Sequence, residues 1–240
     1  MGLFDKKFCD LCGEKIGLFG NRKLNDGNMC KDCAKGISPY LTGRKQFTVA
    51  DMKEHLAYRE ENKRKLERFS PTRTIGSYLK LYIDDNSGQW LISRLARYKD
   101  DNPDILTFDQ VTGCTVTIDE DRDEIMRKLP DGKEESFIPP RYKSSYDFKV
   151  EVNVNSPWFS EITFKVNNLS IEGRGSAEYR SVERQAEEIR DTLTQLHTQV
   201  REAAAQAAAP RASVKCPFCG AVVIPEASGK CPFCDSAIGI

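Results

Sequence analysis

The chain has 240 residues, 39% of them apolar and 30% charged, with 36 basic residues against 36 acidic ones. At roughly 150 residues per domain this is one medium core plus smaller modules. The composition excludes a globally basic nucleic-acid binder, and no apolar run approaches the ~20 residues of a membrane span. The start, Met1 to Lys6, lacks a secretory apolar segment and the Ser or Thr that myristoylation needs at position 6, so cytoplasmic residence is expected. Nine cysteines without an export signal point to thiolate chemistry in a reducing compartment rather than a disulfide scaffold. The neutral total hides an asymmetry. Residues 1–73 carry 16 basic against 10 acidic residues, a net +6, whereas 74–175 carry 13 against 18, a net −5.

In chain order, the first element is a cysteine-rich segment. In Cys9-Asp-Leu-Cys12-Gly13 and Cys30-Lys-Asp-Cys33, 17 residues lie between Cys12 and Cys30. Cys33 is followed by Ala34-Lys35-Gly36 with no turn residue, so Cys30 and Cys33 are expected to open a short helix. Lys15–Gly20 with Arg22–Leu24 is expected to form a hairpin between the pairs. Knuckle, hairpin, helix is the order of a treble-clef finger.

Thr48 to Phe69 reads as a helix, with Thr48 as N-cap and Asp51 three residues on. Its apolar stripe, Val49, Met52, Leu56, Leu66 and Phe69, is broken by Arg59 and Lys63. Most of this helix is therefore expected to be solvated, and Ser70-Pro71 ends it. From Thr74 to Gly173 the apolar period shifts to two. Leu79–Ile83 and Trp90–Ile92 predict a hairpin around Asp84–Gly88. Further strands are expected at Ile105–Phe108, Val111–Ile118, Phe148–Val154, Ile162–Val166 and Leu169–Ile171. A small antiparallel sandwich or barrel fits this pattern best.

Tyr179, Val182, Ala186, Ile189, Leu193, Leu196 and Val200 are spaced 3, 4, 3, 4, 3, 4, the a and d positions of a helix. The expected outcome is one helix packing this stripe on the β-domain, with a coiled-coil dimer through 179–200 as the alternative. After an alanine-rich tail, Pro210 stops the helix and 207–214 reads as a linker. The last module is Cys216-Pro-Phe-Cys219-Gly220, an 11-residue gap, then Cys231-Pro-Phe-Cys234-Asp235. Two knuckles in this order predict a zinc ribbon.

Eight of the nine cysteines thus form two sets, Cys9, Cys12, Cys30 and Cys33, and Cys216, Cys219, Cys231 and Cys234. Four thiolates suit a tetrahedral zinc ion, and the Cys-x-x-Cys turn brings both sulfurs to one ion while aiming backbone N–H groups at them. Gly13 and Gly220 stand where the turn wants a positive φ, a conformation Asp235 tolerates less readily. Segments this short bury too little apolar surface to fold without metal. Iron is the alternative, since Cys-Pro-x-Cys also suits it, but nothing else in the chain suggests a redox partner. Two zinc ions per chain, both closed and structural, are expected.

No catalytic constellation is found. His55 and His197 have no second ligand at metal spacing, and Cys114 reads as a buried small hydrophobe. Asp119–Glu124 lacks the glycine and glutamate of a calcium loop, so a solvated hairpin tip is expected there. Gly17-Leu-Phe-Gly20 lacks the Lys-Ser/Thr of a phosphate loop.

Phe8-Cys9-Asp-Leu-Cys12-Gly13, Lys23-Leu24-Asn-Asp26-Gly27 leading to Cys30-Lys-Asp-Cys33, and the helix ending Phe69-Ser-Pro71-Thr resemble an uncharacterised bacterial family, a domain of unknown function. Its members begin with a zinc finger of this kind. The resemblance covers roughly residues 7–73. The middle, through Leu81-Tyr-Ile-Asp-Asp85, Trp90-Leu-Ile and Asp104–Val111 with its closing helix, resembles bacterial PH-like or GRAM-like domains. The last 25 residues resemble a generic zinc ribbon. These resemblances imply a fold and no activity.

The expected architecture is α+β. It comprises a treble-clef-like finger (1–45), a connecting helix (46–73), a PH-like β-domain with its long helix (74–206), a linker (207–214) and a zinc ribbon (215–240). The expected function is that of a non-catalytic adaptor binding a protein partner, peripherally at the inner membrane face when that partner is membrane-associated. The competing reading is nucleic-acid binding through Arg22, Lys23, Lys31, Lys35, Arg44 and Lys45.

Overall fold

A computed structural model describes residues 7–208, 213–224 and 229–238. Of the expected linker at 207–214, residues 209–212 lie outside the described ones, as do Met1 to Lys6, while 207 and 208 are helical rather than linker. Among the described residues 30% are helical and 30% are in strands, and no barrel closes. It divides into two compact units, Met1–Thr198 and Gln199–Ile240.

The first unit opens with a knuckle at Cys9–Gly13. Strands β1 (Arg22–Lys23) and β2 (Asn28–Met29) follow as an antiparallel pair, then helix α1 (Lys31–Lys35). The order knuckle, hairpin, helix is as expected, but the hairpin lies further along. Its turn is Leu24–Gly27, closed by the Leu24 N–H on the Gly27 carbonyl, and Gly17–Gly20 is a separate turn. Asp26, free at the hairpin tip, accepts from the Val49 N–H (2.7 Å) and so binds the finger to the next helix.

Helix α2 (Val49–Arg68) starts on the expected capping box, with Thr48 Oγ1 and the Asp51 carboxylate each accepting from the other's backbone N–H. Its outer face carries the solvated pairs Glu60–Lys63 and Glu61–Arg64. The expectation of a mostly solvated helix is nevertheless corrected. Met52, His55, Arg59, Asn62 and Leu66, spaced 3, 4, 3, 4, form one buried face. Met52 joins the finger core of Leu24, Met29 and Leu41. Leu66 and Phe69 pack with Tyr82, Leu91, Tyr98 and Ile105.

These last residues belong to an antiparallel sheet of β3 (Arg73–Ile75), β4 (Lys80–Asp84), β5 (Gln89–Ser93) and β6 (Leu106–Thr107), in sequence order. Asp84 accepts from the N–H groups of Asn86 and Ser87, which shapes the β4–β5 turn. A second sheet is built on two long strands, β7 (Val111–Glu124) and β10 (Tyr142–Val154). Between them lies the small hairpin β8 (Met126–Lys128) and β9 (Glu134–Ser136). On its other edge β10 pairs with β11 (Glu161–Lys165) and β12 (Ile171–Glu172).

Asp119–Glu124 is strand rather than the expected hairpin tip. Its charges are tolerated because the partner strand answers them: Lys149 pairs with Asp119, Ser144 donates to Glu120 (2.8 Å), and Arg122 lies over the Tyr142 ring. Helix α3 (Ala177–Ala208) buries Tyr179, Val182, Ala186, Ile189, Leu193 and Leu196. Tyr179 meets Tyr146 and Phe148 of β10 edge-on, so the start of the stripe packs on the second sheet. In the second unit β13 (Val214–Lys215) pairs with β14 (Val222–Val223), and Lys230 bridges Ala237.

Candidate metal centres

Three of the four cysteine pairs share one backbone turn. The first cysteine's N–H donates to the carbonyl five residues on, and its carbonyl accepts from the N–H four residues on. Cys9 does this with Glu14 and Gly13, Cys216 with Ala221 and Gly220, and Cys231 with Ser236 and Asp235. The fourth residue must then take a positive φ, and Gly13 (78°), Gly220 (75°) and Asp235 (58°) all do. The fourth pair is different, as its sequence indicated. Cys30 is the N-cap of α1, its Sγ accepting from the Cys33 N–H at 3.3 Å.

The knuckle and helix start bring Cys9, Cys12, Cys30 and Cys33 together. The ribbon's two knuckles do the same for Cys216, Cys219, Cys231 and Cys234. Within each set all four Sγ atoms lie within 4.8 Å of one another. The separations decide what the sets can be. Cys9–Cys33 and Cys12–Cys30 are 3.8 Å apart, and Cys216–Cys234 and Cys219–Cys231 are 3.7 Å apart. A disulfide needs ~2.05 Å, whereas a tetrahedron of sulfurs ~2.3 Å from a central ion has edges of ~3.75 Å. The donors therefore fit a tetrahedral, thiolate-preferring ion at both sites.

Local electrostatics favour the thiolate at Cys9, Cys216 and Cys234 and oppose it at Cys12, Cys33 and Cys219. Burial alone would raise the Cys9 thiol, but backbone N–H groups of Cys12, Cys30 and Leu11 outweigh it and hold the group down at about 6. The direct contact from the Cys30 N–H to Cys9 Sγ is 3.2 Å. In the ribbon Cys234 is likewise held at about 6, by the Ser236 hydroxyl and N–H. Cys33 moves up, through burial and its three sulfur neighbours. A bound dication would remove that like-charge cost.

The remaining residues singled out in the sequence lie apart from these sets. Cys114 is half-buried, and burial pushes its thiol up to about 12. His55 is a packing residue: its Nε2 accepts from the Ser38 N–H (2.9 Å) and its ring stands edge-on to Trp158. What the sequence did not reveal is the polar network beside it. Arg59 donates from Nη1 to Asp104 (2.6 Å), from Nη2 to the Asn102 carbonyl and from Nε to the Gly36 carbonyl (3.3 Å). Ser38 and Tyr58 hydroxyls donate to the same Asp104 carboxylate. A cavity of about 460 Å³, lined by Tyr40, Ile92, Arg94, Pro103 and Phe164 among others, contains no cysteine in its wall.

The fold and donor sets define a mixed helix-and-sheet protein with a four-thiol centre toward each end. A family model described as "Domain of unknown function (DUF4428)" matches residues 7–55, the segment from the first knuckle into α2. No curated protein and no solved structure matches the chain.

Proposed function

We propose that the chain is a non-catalytic, zinc-stabilised adaptor in which two structural zinc modules flank a PH-like platform. Its working surfaces would contact a protein partner, and a membrane-associated partner would bring the chain to the membrane face. The observation that carries this reading is the apolar surface of the ribbon. Phe218 and Phe233, at matching positions of the two knuckles, are 70% and 75% exposed, and Val222 and Ile224 are exposed with them. A small module whose core is already formed by Cys216, Val223, Cys231 and Ile238 has no internal use for these side chains. Four sulfurs per ion leave no open position for substrate or water, which supports a structural role and a non-enzymatic protein. The PH-like reading of the middle is supported by antiparallel strands closed by one long packed helix.

The test has two parts. Zinc-sufficient preparations should hold two zinc ions per chain, and Cys12→Ser should lose one while keeping the other. Partners recovered with the full chain should be lost on Phe218→Ser/Phe233→Ser, with both zinc ions retained. Recovery indifferent to the phenylalanines would remove the ribbon surface from the proposal. The alternative, nucleic-acid binding by the finger, keeps Lys23, Lys31 and Lys45 available, but Lys35 is engaged by Asp32 at 2.7 Å. Binding to nucleic acid that weakens steeply with salt would favour it.

A further inference from the structure

The turn Gly17–Gly20 lies between the first knuckle and β1 and is used by neither zinc centre. It is held by the Gly20 N–H on the Gly17 carbonyl (3.0 Å) and braced by Arg22, whose Nη1 donates to the Phe19 carbonyl at 3.2 Å. Asn21 ties its base to Asn28 of β2 (2.9 Å). Immediately before it, Ile16 is buried among Cys9 and Cys30, so the turn is anchored on the metal centre itself. At the two central positions stand Leu18 and Phe19, which are 81% and 87% exposed. A fixed turn that offers two large apolar side chains to water gains nothing from them within the chain.

The flanking charge says what could cover them. Lys15, Arg22 and Lys23 bracket the turn, and among the described residues none of them has a carboxylate within 4 Å. Glu14 is the one acidic residue in the stretch 14–23. An apolar tip ringed by cations matches a surface whose outside is anionic and whose inside is hydrocarbon. A nucleic-acid strand would satisfy the cations and could stack on Phe19, but it has no use for Leu18 beside it. A protein partner would require no particular charge.

We propose that the Gly17–Gly20 turn is a membrane-docking tip that inserts Leu18 and Phe19 into the interface of an anionic bilayer, with Lys15, Arg22 and Lys23 on the headgroups. This goes beyond the adaptor reading and is independent of it, since the finger could dock on lipid whether or not the ribbon binds a protein. Two apolar side chains and three cations give weak, reversible docking. The zinc centre fixes the tip, so docking should also require metal at the first site.

The probe is the zinc-loaded full chain with phosphatidylcholine vesicles, pure or containing about 30% phosphatidylserine, at ~0.15 M salt. Flotation is expected with the anionic vesicles alone. Leu18→Ser/Phe19→Ser should abolish it, and Lys15→Ala/Lys23→Ala should weaken it about 25-fold, roughly fivefold per charge. Phe19→Trp should add emission that shifts to the blue on vesicle binding and is quenched by brominated acyl chains. Retention of two zinc ions by each variant shows that the finger still folds. Absence of flotation, flotation indifferent to Leu18→Ser/Phe19→Ser, or a Phe19→Trp signal untouched by brominated lipid would each overturn the proposal. An oligouridine that binds more tightly than the vesicles and loses affinity on Phe19→Ser would overturn it in favour of a nucleic-acid surface.

Discussion

Arg59 and Asp104 meet with side chains only 6% and 0% exposed, and 45 residues of chain separate them. Each charge is compensated by the other, and the hydrogen bonds from Ser38 and Tyr58 to the carboxylate, with those from Arg59 to two carbonyls, satisfy what remains. Such a pair need not stabilise relative to apolar residues, but breaking it strands a buried charge. Arg59→Met alone should cost ~3–5 kcal/mol of stability. Arg59→Met/Asp104→Leu should cost clearly less than the two single changes summed, as a denaturant double-mutant cycle would measure. Additive costs would mean the charges act separately. The neighbouring His55 gives a pH signature. Burial, and then the Arg59 charge, lower it from 6.5 to about 4, and the Ser38 N–H requires Nε2 unprotonated. Between those two values the unfolded chain binds the extra proton and the folded one does not. Stability is therefore full above about 6.5 and falls as the pH drops toward 4, and His55→Gln should flatten that slope in unfolding titrations. The two four-cysteine clusters were legible because the pairing of their cysteines is local. This network was not, because no periodicity links Arg59 to Asp104.

Among the elements, α3 could be read from the sequence because every buried position is apolar, so the 3, 4 spacing is visible in hydrophobicity alone. α2 has the same spacing, but three of its five buried positions are His55, Arg59 and Asn62. A stripe defined by apolar residues passes over them. Asn62 earns its burial by donating to the Asn102 side chain and the Pro103 carbonyl and accepting from the Ile105 N–H. Strands β7 and β10 were legible only as far as alternation lasts. Beyond Ile118 both faces of β7 are exposed, so no burial pattern marks the strand. For α3 the fully buried Leu193 gives the sharpest check. Leu193→Ala should cost ~2–5 kcal/mol through the cavity it leaves, with the sedimentation coefficient unchanged. A change in assembly without loss of stability would return the stripe to a dimer seam.

At the scale of the whole molecule, the boundaries at 45/46 and 73/74 fall inside the unit Met1–Thr198 rather than between independent bodies. The finger core continues through Met52 into α2, and α2 continues through Leu66 and Phe69 into the β3–β6 sheet. The buried Asp104 joins Ser38, after the finger, to Arg59, on the helix. Removing residues 1–73 would therefore uncover Tyr82, Leu91, Tyr98 and Ile105 together and leave Asp104 without its cation. Each large side chain that loses its cover forfeits ~1.5–3 kcal/mol of burial. Several of these, with an unpaired carboxylate, reach the 5–15 kcal/mol that holds a domain together. Residues 74–206 expressed alone should thus melt broadly or well below the full chain. In the full chain, Cys12→Ser, which disables the first centre, should lower the melting of the sheet. The paired control, Cys219→Ser in the ribbon, should leave the Met1–Thr198 transition in place. Calorimetry on the full chain and these variants checks both. A sheet that melts at the same temperature with and without metal at the first four-cysteine set would show that α2 docks without help from that centre.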